Sequence, residues 1–174
     1  MIAVVITTNR REARSEELAS YYHSLLVANT SEEVVLVDLK DLPRDFVVTA
    51  LYENAGNNKG FNQVKELIQK ADKYVFIVPE YNGSYPGVFK SFIDGLDYPS
   101  KLKEKPVALV GLSIGDTGAG PALSHLTDVF FYLGAHVLPQ RVRLPKINKV
   151  FKNGAFAEQF YADMLLEQVK TLIK

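Results

Sequence analysis

Four short runs of this chain are apolar at almost every position. They are Ile2 to Ile6, Val34 to Leu39, Tyr74 to Val78 and Val107 to Leu112. A run without alternation suits a strand buried on both faces. A fifth run, Ala135 to Leu144, carries Pro139, which argues for an edge or interrupted strand. Between these runs the apolar residues recur three and four apart. Leu18, Tyr22, Leu25 and Leu26 form one such set, and Phe61, Val64 and Ile68 another. Val88, Phe89, Phe92 and Ile93 follow, then Ala122, Leu126, Val129 and Phe130, and finally Phe160, Met164, Leu165, Val169 and Leu172. Each set predicts an amphipathic helix. Ser15 and Asn153 are the expected N-caps of the first and last helices. Pro121 suits a first helical turn, and Gly134 a helix end. Only Lys40 to Lys59 lacks a clean period. It is expected to be irregular, with apolar residues at 46–52 that cover the core or meet another subunit.

Strands that alternate with helices predict an α/β fold, a three-layer α/β/α sandwich around a five-stranded parallel sheet. The doubly wound order 2-1-3-4-5 accommodates it. Ligands then bind where strands 1 and 3 diverge, at their carboxyl ends. That topology brings the loops after Ile6, Val78 and Leu112 to one edge.

The chain has 174 residues, 47% of them hydrophobic, which suits a single domain over 1–174. Twenty basic residues balance 20 acidic ones, so bulk charge gives no sign of a nucleic-acid or membrane partner. There is no cysteine, which excludes thiolate chemistry and disulfides. Redox activity would therefore need an organic cofactor. Three scattered histidines give no metal-ligand spacing. The amino-terminal stretch lacks the pattern of a signal peptide and no apolar run spans a bilayer, so a cytoplasmic protein is expected.

The three loops carry the candidate chemistry. Thr7 to Arg14 (TTNRREAR) joins a strand to a helix N-terminus, where free N–H groups favour an anion. Pro79 to Tyr85 (PEYNGSY) offers flat aromatic faces with polar groups between them. Ser113 to Gly120 (SIGDTGAG) has three glycines that let a ligand approach the backbone. Each is equally readable as a plain connection.

The second loop resembles the signature P-E-Y-N-x-S-x-P-G-x-x-K-x-x-x-D of the NAD(P)H-dependent FMN reductase family, which has a flavodoxin-like fold. The matching residues are Pro79, Glu80, Tyr81, Asn82, Ser84, Pro86, Gly87, Lys90 and Asp94. The first loop resembles the family's Gly-Ser-x-Arg-x-x-Ser-x-Asn, with Thr8, Arg10 and Ser15 at the serine, arginine and asparagine. Thr7 stands in place of the glycine and Ala13 in place of the second serine. The third resembles Ser-x-Gly-x-x-Gly-Gly, with Ala119 in place of one glycine.

The resemblance implies FMN as cofactor and NAD(P)H as co-substrate, with a quinone, free flavin or azo compound as acceptor. It implies FMN contacts from Thr8, Arg10 and Ser15, from Pro79, Glu80, Tyr81, Asn82, Gly83 and Ser84, and from Ser113, Gly115 and Gly118. Asn82 and the backbone of 80–84 would hold the ring edge, with Tyr81 and Tyr85 beside it. No catalytic side chain is implied, because the flavin carries the chemistry. A homodimer or homotetramer is implied. The alternative reading is a flavodoxin-like electron carrier or a regulatory binding module without turnover.

Overall fold

The computed structural model describes residues 1–174. The chain alternates strand and helix as the periodicities predict. Strand β1 (Ile2–Ile6) leads to helix α1 (Arg14–Asn29) and strand β2 (Val34–Asp38). The stretch without a period is not shapeless. It holds two 3-10 turns and the one-turn helix α2 (Phe46–Thr49). Phe46 and Leu51 anchor it in the core, and Val47, Val48 and Tyr52 stay exposed. Helix α3 (Lys59–Lys70) and strand β3 (Lys73–Pro79) follow, then α4 (Gly87–Asp94) and β4 (Pro106–Leu112).

Helix α5 (Gly120–Tyr132) carries Pro121 in its first turn. It closes on Gly134, whose φ is 76°. There the Ala135 amide donates to the Phe130 carbonyl and the Gly134 amide to that of Phe131, a Schellman ending. The fifth strand is interrupted at Pro139, as expected. Its halves, β5 (His136–Val137) and β6 (Val142–Leu144), both pair with β4.

All pairings in this sheet are parallel, in the order β2-β1-β3-β4-β5. Strands β1, β3 and β4 are buried on both faces, and alternate residues feed different cores. Ala3, Val5, Tyr74, Phe76, Val107 and Leu109 pack against α3, α4 and α5. Ile2, Val4, Val75, Ile77, Ala108 and Val110 pack against α1 and the last helix, α7 (Gln159–Leu172). One polar cluster crosses the second core. The Tyr22 hydroxyl donates to Gln168 Oε1 at 3.0 Å, and Gln168 Nε2 donates to the carbonyls of Leu109 and Gln140.

Both expected caps are corrected. Helix α1 starts at Arg14, so Ser15 is its second residue, and Ala13 occupies the cap position without a side-chain bond. Helix α7 is preceded by the one-turn α6 (Ile147–Val150) and the hairpin β7 (Phe151–Lys152) and β8 (Ala155–Phe156). Asn153 lies at the turn of that hairpin with a φ of 51°, followed by Gly154 at 74°. Two positive φ angles form a two-residue hairpin turn, which Asn-Gly favours. Glu158 stands at the cap of α7. No helix is long and apolar enough to cross a membrane.

Candidate active site

The carboxyl ends of β1, β3 and β4 bring the three loops together. A cavity of about 170 Å³ is lined by Arg10, Ser15, Pro79, Glu80, Tyr81 and Ser113, among others. All three predicted loops contribute to it. A larger cavity of about 760 Å³ lies on the β2 side of the first loop, between Arg11, Glu16 and Arg44. That space lacks loops two and three, so the smaller cavity is the candidate site.

In the first loop, Thr7 turns away from the cavity. Its hydroxyl and its amide both donate to the Ile77 carbonyl, at 2.9 and 3.2 Å. Thr8 Oγ1 accepts the Arg10 amide at 3.2 Å and sits 2.7 Å from the Tyr81 hydroxyl, tying loop one to loop two. Ser15 is buried, and its Oγ has no hydrogen-bond partner. Such a group costs about 1–3 kcal/mol unless something satisfies it. The helix start around it is open, since no side chain caps α1. Arg14 is committed elsewhere. Its guanidinium donates to Glu17 at 2.6 Å, to Asn148 and to the Phe151 carbonyl. Arg10 is exposed and makes no ion pair, so its charge is free for an anion.

The second loop is a tight hairpin. The Tyr81 amide donates to the Ser84 carbonyl at 2.8 Å, and the reverse bond is 3.0 Å. Asn82 and Gly83 form its tip with φ of 51° and 76°, the type I′ geometry. The hairpin narrows the donors that the backbone of 80–84 can offer a ligand. The Glu80 amide is also spent, on the Leu112 carbonyl at 3.0 Å. Only the amides of Asn82 and Gly83 remain free there. Tyr85 packs edge-on against Phe89, with centroids 6.3 Å apart, and burial raises its pKa above the usual phenol value. Lys90 and Asp94 pair with each other along α4 at 2.6 Å and do not line the cavity. Asp94 is the main reason the Lys90 ammonium is held above its ordinary pKa.

The third loop is pinned by Ser113. Its Oγ donates to the Gly115 carbonyl at 3.0 Å and accepts the Gly118 amide at 2.9 Å. Gly118 must be glycine, because its φ is 57° and a Cβ would lie 2.9 Å from the Leu144 nitrogen. Thr117, absent from the expected contacts, donates its hydroxyl to the Glu80 carboxylate and so locks loop three to loop two. His125, on α5, is 2.9 Å from Ser84 through Nδ1. Neither link has a sequence signal, since both partners are far apart in the chain. Of the expected contacts, Thr8, Asn82, Gly83, Ser84, Gly115 and Gly118 do not line the cavity.

The profile of the NADPH-dependent FMN reductase family matches residues 1–149. This chain belongs to that family. A 2-hydroxy-1,4-benzoquinone reductase of Burkholderia sp is 34% identical to it over 146 residues, 80% of this chain and 74% of that protein. Other relatives, about 30% identical, are matched over 59, 60 and 62% of their own length. Among solved structures, the flavoenzyme NAD(P)H:(acceptor) oxidoreductase FerB from Paracoccus denitrificans aligns with a TM-score of 0.77 and 26% identity. That alignment covers 99% of this chain and 94% of FerB. A flavodoxin from Pseudomonas aeruginosa, 16% identical, aligns over 99% of both chains with a TM-score of 0.61, which establishes the flavodoxin-like fold alone.

Family membership makes the chain a flavin-dependent NAD(P)H oxidoreductase with FMN as cofactor. The chain's own residues fit that group. An open helix start with an orphaned, buried hydroxyl suits a phosphate. A hairpin tip with two free amides offers donors to a polar ring edge.

Proposed function

We propose that this family member reduces small-molecule acceptors of the quinone class at the edge where its three loops meet. The observation that carries the reading is the unpartnered Ser15 hydroxyl at an uncapped helix start inside the shared cavity. Bound FMN supplies the two-electron chemistry, oxidising NAD(P)H and reducing the acceptor. The chain's part is to hold and orient. Ser15, Thr8 and the first amides of α1 bind the phosphate, and Arg10 adds charge. Pro79, Glu80, Tyr81 and Ser113 wall the cavity. Asn82 and Gly83 donate to the ring edge, where fixed N–H dipoles stabilise negative charge on the reduced ring. Ser84, Gly115 and Gly118 shape the rim. No side chain need act as general acid or base.

Support for a quinone acceptor comes from the 2-hydroxy-1,4-benzoquinone reductase that resembles this chain. The same reading has the protein work in the cytoplasm as a single unit over 1–174, and as a homodimer or homotetramer. Exposed Val47, Val48 and Tyr52 are the candidate contact surface. Light scattering on a sizing column tests the assembly, and a monomer would rule it out.

The reading is tested by incubating the protein with FMN, desalting it, and recording its visible spectrum. Retained flavin bands that bleach anaerobically with NADPH or NADH, and recover on adding benzoquinone, are the expected result. A colourless protein that does not oxidise either nucleotide would overturn it.

A further inference from the structure

Beside loop three lies a second, basic recess that the flavin site does not use. Arg143 lies on β6 and Arg141 immediately precedes it, so the two flank Val142 at alternate positions of the chain. Val142 is buried and both arginines are exposed. The two Cα atoms are therefore about 7 Å apart. Neither guanidinium pairs with an acid. Arg141 makes one bond, to Thr127 Oγ1 at 3.2 Å, and Arg143 makes none. Arg143 Nη1 instead lies over the first turn of α5, 3.4 Å from where a Cβ on Gly120 would be.

Both arginines line a cavity of about 640 Å³ that also receives Thr117 and Ser124. No carboxylate lines it. Both also line an adjoining cavity of about 400 Å³ walled by Phe160 and Tyr161. The acid there, Asp116, is neutralised by Lys146 at 2.7 Å. Phe160 is 62% exposed, with the Tyr161 ring set edge-on beside it at a centroid distance of 5.5 Å.

We propose that this recess binds the adenosine 2′-phosphate end of NADPH and makes the protein prefer NADPH to NADH. The inference rests on the reductase reading. Three features converge on it. Two uncompensated guanidiniums at this spacing suit a dianion, which arginine grips through paired N–H groups. An aromatic wall beside the phosphate suits a purine, which stacks on aromatic rings. Thr117 links the recess to the flavin cavity, because its hydroxyl also holds Glu80. A dinucleotide can thus be anchored at its adenosine end while its nicotinamide reaches the site. A carboxylate-bearing acceptor would use the arginines but leave the aromatic wall unexplained.

The test is calorimetric titration of the protein with 2′,5′-ADP and with 5′-AMP, which needs no turnover. The wild type should bind 2′,5′-ADP at least about tenfold more tightly, the worth of one charge-assisted contact. The Arg141→Ala/Arg143→Ala pair should erase that difference, raise the KM for NADPH and leave FMN retention and the KM for NADH unchanged. Both side chains are exposed, so the core is untouched. Arg143→Gln alone serves as the milder variant and should lose part of the preference. Equal binding of the two nucleotides by the wild type, or a preference that survives both variants, would overturn the proposal. If the protein retains no flavin and oxidises no NAD(P)H, the reductase reading fails, and the titration still decides the recess on its own.

Discussion

Ser15→Ala separates a binding role from a folding role, because the two effects have opposite signs. In the chain as it stands, Ser15 Oγ is buried without a partner. Burying an unsatisfied hydroxyl costs about 1–3 kcal/mol. Alanine removes that group and favours the helix by a few tenths of a kcal/mol more. The flavin-free protein should therefore gain about 1 kcal/mol, which raises its Tm by about 2–4 °C at this chain length. A phosphate at the start of α1 reverses the sign. The hydroxyl would then donate a charge-assisted bond worth about 1.5–3 kcal/mol. Losing it should weaken the Kd for FMN by about ten- to a hundredfold. Calorimetric melting of the flavin-free variant reads the first number, and quenching of FMN fluorescence reads the second. A variant that melts lower than wild type and binds FMN equally well would refute the reasoning. It would mean that the hydroxyl has a partner within the fold and does not serve the ligand.

Three further predictions test the frame around the site. Tyr22→Phe leaves Gln168 Oε1 buried without its 3.0 Å donor, so the protein should lose about 1–3 kcal/mol in urea unfolding, with FMN affinity unchanged. Gly83→Ala forces a side chain onto a φ of 76°. It should cost about 1–2 kcal/mol in stability and weaken FMN binding, because the free amides at the hairpin tip shift. Glu32 is bound by Lys73 at 2.6 Å and lies 3.5 Å from the amino terminus. Its hydrogen bond to Lys73 is the main reason its pKa is held below the ordinary 4.5. A depressed carboxylate adds stability that is fully present above its unfolded pKa and disappears as pH falls through its folded value. Glu32→Gln should therefore lose a few tenths of a kcal/mol at pH 7, as partly exposed pairs do, and nothing at a pH below the folded pKa. Melting curves across that range, at low and high salt, check the sign.

The sequence made the sheet legible because buried parallel strands have no polar face. The runs at Ile2–Ile6, Tyr74–Val78 and Val107–Leu112 admit no other placement, and once their order is set the three loops must share an edge. What stayed hidden depends on single hydrogen bonds. Ser15 looks like a cap because it precedes two glutamates, yet α1 begins at Arg14 and leaves the cap position to Ala13. A serine at the cap would satisfy a helix amide, whereas a serine inside the first turn has a hydroxyl with nothing to bind. The loss of a serine at position 13, relative to the family pattern, is thus partly offset by a helix end left open to an anion. Asn82-Gly83 and Asn153-Gly154 both take the two positive φ angles of a tight hairpin. At 82–83 that turn decides which amides are available, since it consumes those of Tyr81 and Ser84 and leaves the two at the tip. The ring edge is therefore expected to depend on the backbone shape of the hairpin more than on the Asn82 side chain. Asn82→Asp, which tolerates the same left-handed φ, should retain more FMN affinity than Asn82→Val, which does not.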